Sequence, residues 1–378
     1  MNHKRLFALP VGVFAVILLA LFTAARADED HDRLGPYKLL NTIPVPGDLI
    51  GGFDISWVDS EAGRYYLADR GNATAVPPIA PRIDVVDTKH NKLLAPIPLL
   101  FAPNGVVAIR RSNDDDDDRD EAGELWVGDL NSHAEVIDLR TKSIVANINT
   151  MGTARADELA YDPLDRLILI ANDNDLPPFV TFISTKTRMV VGQLKFPQAV
   201  FGTPATNHGL EQSVWDSRTR KFYLAVPGTS AHTAGEVDEI DPHTMMVTRI
   251  FATTCNPAGL ALVPGQHLVT SCGDVIDVKT WSLVTHVAGT GGDEIWFNPG
   301  DERVYFGNFF TIPVVDTDTN TLVTTLTVGF TATPFSNAHF THSVAADSEN
   351  NRIFVPVTHE GVKVYTDDRD DHDGHHEE

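Results

Sequence analysis

Seven matching places in this chain each stand just ahead of a short, mostly apolar triplet, and six of them are polar. They hold Asp54, Asn104, Asp157, Glu211, Asp293 and His342, with Ala258 as the seventh. Glu158, Gln212 and Glu294 directly follow three of these. Carboxylates gathered at one mouth repel each other unless protons or a cation compensate. All-oxygen donors suit a hard divalent cation such as calcium or magnesium. Histidines add a different chemistry. His339, His342 and His359 share one short stretch and, with Asp54 and Asp293, form a candidate metal set. Imidazole mixed with carboxylate favours zinc or another transition metal. With an ordinary pKa near ~6.5, His342 is also a candidate general base. A plainer reading leaves the acids bonded to backbone amides around a hydrated opening and the histidines in ordinary loops. A second group, His208, Glu211 and His232, lies farther upstream, and Asp69-Arg70, Asp129, Asn172-Asp173 and Asn308 are lesser candidates for the same cleft. The chain contains no G-x-S-x-G elbow, P-loop, G-x-G-x-x-G or H-E-x-x-H signature.

The elements that must position these residues come from a repeated phrase. It reads RIDVVDTKHNKLLAPI at 82–97, AEVIDLRTKSIVANI at 134–148 and VTFISTKTRMVVGQL at 180–194. It returns as VDEIDPHTMMVTRIF at 237–251, DVIDVKTWSLVTHV at 274–287 and IPVVDTDTNTLVTTL at 312–326. Each copy is a β-branched strand, a polar turn and a second apolar strand. The turn opens at Asp87, Asp138, Ser184, Asp241, Asp277 and Asp316, where a short polar side chain can accept a hydrogen bond from the backbone two residues on. A further strand pair precedes each phrase, aligned on Asp59, Ile109, Asp162, Asp216, Val263, Asn298 and Asp347. Repeats of ~40–50 residues with several strands each predict a β-propeller. Seven inner strands but six complete phrases predict an all-β, seven-bladed ring. In it YKLLNTIPV at 37–45 completes the last blade beside GVKVYT at 361–366, removing an exposed edge. Six blades with a separate cap is the alternative. The polar column then falls at one rim of the central channel.

These phrases resemble the YVTN-type β-propeller repeat family, and more loosely the NHL-repeat and lactonase-like propellers, over residues 37–366. The resemblance implies the fold; members of such a fold serve as binding proteins, scaffolds and enzymes alike.

The N-terminus has the form of a secretory signal: Lys4 and Arg5, an apolar run from Leu6 to Phe22, and Ala25-Arg26-Ala27 as the cleavage site. The expected organisation is a signal peptide at 1–27, a propeller at 28–366 and a disordered acidic, histidine-bearing tail at 367–378. The expected location is the periplasm or the exterior, with no membrane association beyond export. In an oxidising compartment Cys255 and Cys272, placed at one end of the same blade, are expected to form a disulfide; the alternative is a thiol pair that ligates metal. The formal charge of −23 becomes more negative once Lys4, Arg5 and Arg26 are removed. It argues against nucleic acid and anionic lipid as partners. The run NDDDDDRDE at 113–121 reads as a solvated insertion, with weak calcium binding as the alternative. Together these features predict a monomeric exported propeller that binds a small molecule, metal ion or protein at its channel rim. A divalent-metal-dependent hydrolase or lyase of lactonase-like type, using calcium, magnesium or zinc, is the alternative.

Overall fold

The computed structural model describes residues 37–50, 52–110, 123–197 and 209–367. The signal segment, the acidic run at 113–121, His208 and the tail beyond 367 lie outside them. The described chain is all-β, in seven antiparallel sheets arranged as a ring of blades. Its innermost strands are Phe53–Asp59, Pro103–Arg110, Leu159–Asp162, Ser213–Asp216, Leu260–Val263, Ile295–Asn298 and Ala345–Asp347, for blades 1 to 7 in order. Each packs against the inner strand of the next blade, and blade 7 packs against blade 1. In blade 7, Lys38–Ile43 pairs antiparallel with Gly361–Thr366 as the outermost strand. Blade 1 departs from regularity. Its outer strand is split into Lys92–Leu93 and Ile97–Pro98, because Pro96 and Pro98 cannot donate to the ladder.

The turn residues act much as their chemistry requires. Asp138, Asp277 and Asp316 each accept a backbone N–H three residues on, at 2.7–2.8 Å, and Asp87 does so at 2.9 Å. Asp241 accepts from the second residue on, His243, at 2.8 Å and more distantly from Thr244 at 3.3 Å, so the reach to the third residue recurs beside the one that the sequence suggested. The residue after each turn is left-handed: Asn91, Lys142, Arg188, Met245, Trp281 and Asn320 have φ of 50–55°. A type I turn followed by a left-handed residue is a common hairpin solution matched to strand twist.

A second repeated device orients the segments that enter the blades. Three residues before each turn opening stand Asp84, Glu135, Thr181, Asp238, Asp274 and Pro313, with Lys363 at the matching place in blade 7. Four of these clamp the incoming backbone. Glu135 accepts the N–H groups of Leu100 and Phe101 at 3.1 and 3.2 Å, and Asp274 accepts that of Thr254 at 2.6 Å. Thr181 Oγ1 donates to Thr150 O at 3.3 Å, and Lys363 Nζ to Val328 O at 2.7 Å. The segment held by Glu135 leads into Asn104, and that held by Asp274 into Ala258.

Ile43 and Val45, 3% and 2% exposed, join the apolar cluster shared by blades 7 and 1. Truncating a core aliphatic removes transfer energy and leaves a cavity. Ile43→Ala should therefore cost about 2–5 kcal/mol in denaturant unfolding. An unchanged midpoint would mean that the N-terminal strand adds little to the fold.

Candidate functional site

The inner strands bring the polar column together at one mouth, and the charges there divide into two groups. One is built on guanidinium groups. Arg70, just past the second strand of blade 1, pairs with Asp54 and donates to Asn104 Oδ1 at 2.7 Å. Arg155 leads into blade 3. It donates to Asp173 through Nε and Nη2 at 2.6–3.0 Å, reaches Asp157 at 2.8 Å and lies 3.9 Å from Asp54. Asn174 also donates to Asp173, at 2.8 Å. Arg155 thus ties together carboxylates from blades 1 and 3.

The other group has no guanidinium bonded to it among the described residues. Glu158 and Glu294 hydrogen-bond to one another from blades 3 and 6, across the ring. Two carboxyl groups so placed are expected to share a proton, because two carboxylates have no donor between them. The two side chains belong to residues only 3% and 6% exposed, and Glu294 Oε2 has no partner; nor does Oδ1 of Asp157, itself 3% exposed. Glu211 and Asp293 lie close enough to add their charges. Burial raises the pKa of Asp157, Glu158, Glu211 and Glu294 well above the carboxylate range. The neighbouring charges of Asp54, Glu294 and Asp293 push further in the same direction.

His342 joins the groups. Its ring stacks on Phe53, 4.9 Å between centroids. Nε2 faces Phe53 O at 3.2 Å, while Nδ1 faces Asp293 Oδ2 at 3.1 Å and Asp54 Oδ1 at 3.8 Å. Both nitrogens face acceptors, which selects the doubly protonated ring. Burial alone would lower the His342 pKa, but the Asp293 hydrogen bond and the charges of Asp54 and Asp293 outweigh it and raise it. An imidazolium has no lone pair for a metal or a substrate proton. This geometry sets His342 beside Asp54 and Asp293, the two acids that the sequence grouped with it.

The other histidines are engaged elsewhere. His339 bonds Glu360 at 2.8 Å and stacks on Phe330 and on His359, whose Nε2 donates to Ser336 O at 2.8 Å. The structure therefore brings Asp54, Asp293 and His342 together and leaves His339 and His359 in a separate aromatic group. His232 pairs with Glu236. Asp129 serves a turn, accepting from Asn131 and His133, and Asn172 belongs to a buried network with Ser132, Thr150 and Thr181. Asn308 is bridged to Thr311 through the backbone.

Close approach of neighbouring blades depends on two glycines. A Cβ on Gly105 would stand 2.0 Å from Asp157 O, and one on Gly259 would stand 2.4 Å from Asp293 O. Gln212 fills the corresponding place in blade 4. It caps Leu260 N and Ile295 N at 2.7 and 3.3 Å and donates to Ile295 O at 3.2 Å. Farther along the inner strands, Trp57 and Trp296 meet edge to face at 5.1 Å.

Arg155 is the site residue that sequence reasoning missed. Its signal was available: two places before the polar column stand Gly52, Ala102, Arg155, Gly209, Asn256, Gly291 and Phe340, and only Arg155 is charged. The disulfide joins Cys255 and Cys272, with Cα atoms 5.9 Å apart. Among the described residues no helix is long and apolar enough to cross a membrane. The fold and site define a seven-bladed β-propeller with an acidic channel mouth that arginines neutralise in part. No family model matches the sequence, and no curated protein is significantly similar to it.

The raised carboxyls set the sign of the pH dependence. Burial lifts Asp84, beside Asp69, to about 7, and Glu135 to about 7 against the pull of its two backbone donors. A carboxyl whose folded pKa exceeds its unfolded value binds more protons when folded. Its contribution to stability is complete below ~4 and is lost as the pH rises toward ~7. Melting temperature should accordingly fall between those limits, measured in chelator-containing buffer. Glu158→Gln, which keeps a donor to Glu294, should flatten that slope and stabilise at pH 8 by on the order of 1–2 kcal/mol. A melting temperature that climbs steadily with pH would contradict the shared-proton assignment.

Proposed function

We propose that this protein is an exported β-propeller that binds a cation at its channel mouth, either a hard divalent metal ion or a positively charged small molecule. The observation that carries the reading is the pair of buried, unpartnered oxygens, Glu294 Oε2 and Asp157 Oδ1, beside acids with no bonded guanidinium. A buried anionic oxygen without a partner is costly, and a cation or a proton removes the cost. Oxygen donors favour calcium or magnesium, and both ring nitrogens of His342 already face oxygen acceptors. Export rests on the secretory form of residues 1–27 and accords with the Cys255–Cys272 disulfide. The repeat phrases agree with a YVTN-type propeller.

Thermal melts of the oxidised chain at pH 8, with added calcium, magnesium or spermidine, test the proposal. A ligand at a hundredfold its Kd stabilises by about 2.7 kcal/mol. At least one probe should produce such a rise, and Asp293→Asn or Glu158→Gln should reduce it. If no probe shifts the melt and Asp293→Asn is more stable than the parent, the mouth is a proton-sharing cluster and the proposal fails.

A further inference from the structure

Blade 5 carries a second cluster, built on residues other than the mouth acids. A carboxylate oxygen of Asp274, a ring nitrogen of His286 and Cys255 Sγ lie within 4.8 Å of one another, and Cys272 is joined to Cys255. The topology makes this corner. Asp274 opens the third strand of the blade and is the register partner of His286, which ends the outer strand. Thr254 N donates to Asp274 at 2.6 Å and Thr254 Oγ1 at 2.7 Å, which holds the adjacent Cys255 beside them. His286 Nδ1 lies 2.9 Å from Asp274 Oδ1.

The clamp role described above accounts for Asp274 but not for His286. At the register partner of the clamp position other blades place Asn147, Gln193, Ile250, Thr325 and Thr42. Only blade 5 sets an imidazole there, and only blade 5 has cysteines. The carboxylate is fully buried while the imidazole side chain is 43% exposed, so an ion or a small reductant has access from the imidazole side. A carboxylate bonded to a ring nitrogen is the arrangement that commonly orients a metal-binding histidine.

We propose that this corner is a redox-gated metal site for a thiolate-preferring divalent cation such as zinc. The disulfide closes it and reduction opens it. A dithiol reductant attacks one sulfur to give a mixed disulfide, and its second thiol then displaces the protein. Two electrons and two protons pass to Cys255 and Cys272, and the reductant leaves as its own disulfide. The two thiols lose their protons as the cation binds. Cys255, Cys272 and His286 then supply two sulfurs and a nitrogen, Asp274 orients the imidazole, and water takes the fourth place of a tetrahedral zinc site.

Cobalt(II) is the probe, because sulfur-to-cobalt charge-transfer absorption reports thiolate coordination and ignores the tail histidines. The oxidised chain should show no such band. The chain reduced with a phosphine should show it at one cobalt per molecule, and His286→Ala should weaken binding about tenfold or more. A Cys255→Ser/Cys272→Ser variant should lack the band and supplies the background. Circular dichroism of the reduced parent checks the fold. The proposal is overturned by a reduced, folded chain without the band, by equal affinity in His286→Ala, or by loss of the fold on reduction.

Discussion

Seven inner strands that start at one narrow mouth bring their leading side chains into one another's electrostatic field. Near a surface, at an effective dielectric of about 20, two carboxylates ~4 Å apart repel by roughly 4 kcal/mol. The chain meets this constraint in two ways. On blades 1 to 3, Arg70 and Arg155 bond Asp54, Asp157 and Asp173 directly. Around the other acids, burial raises the pKa of Glu158, Glu211 and Glu294, and His342 faces Asp293. The first arrangement still leaves Asp157 Oδ1 without a partner. The second leaves Glu294 Oε2 unpartnered, and the proposed cation would meet these two buried oxygens.

The rim depends on devices lying behind it. Gly105 and Gly259 let adjacent blades approach, and Gln212 ties blade 4 to the start of blades 5 and 6. Glu135, Thr181, Asp274 and Lys363 hold the backbone that leads into the rim. In blade 5 the rim place is held by Ala258, so that blade brings no acid to the column; its chemistry lies instead at the corner of Cys255, Cys272, Asp274 and His286.

Much of this was legible in the sequence because a propeller repeats its local solutions. The polar turn openings from Asp87 to Asp316 announced the hairpins, and the apolar triplets announced inner strands covered on both faces. The Cys255–Cys272 pairing followed from blade topology. Long-range side-chain partners were less legible. Arg155 sits in a connecting segment, marked only as the one charged residue two places before the polar column, and its role depends on a reach from blade 3 to Asp54 in blade 1. His339 and His359 shared a stretch with His342, but backbone pairing of Phe330 with His339 turns them toward Glu360 and an aromatic group. Spacing showed which residues share a segment; it did not show which way each side chain leaves the backbone.

The central claim is that the Glu158–Glu294 pair keeps a proton near neutral pH. Difference infrared spectroscopy between the parent and Glu158→Gln, at pH 7.5 in chelator, tests it most directly. The account predicts a protonated-carboxyl C=O band in the parent that disappears in the variant. Absence of that band from the parent, with both glutamates absorbing as carboxylates, would contradict it.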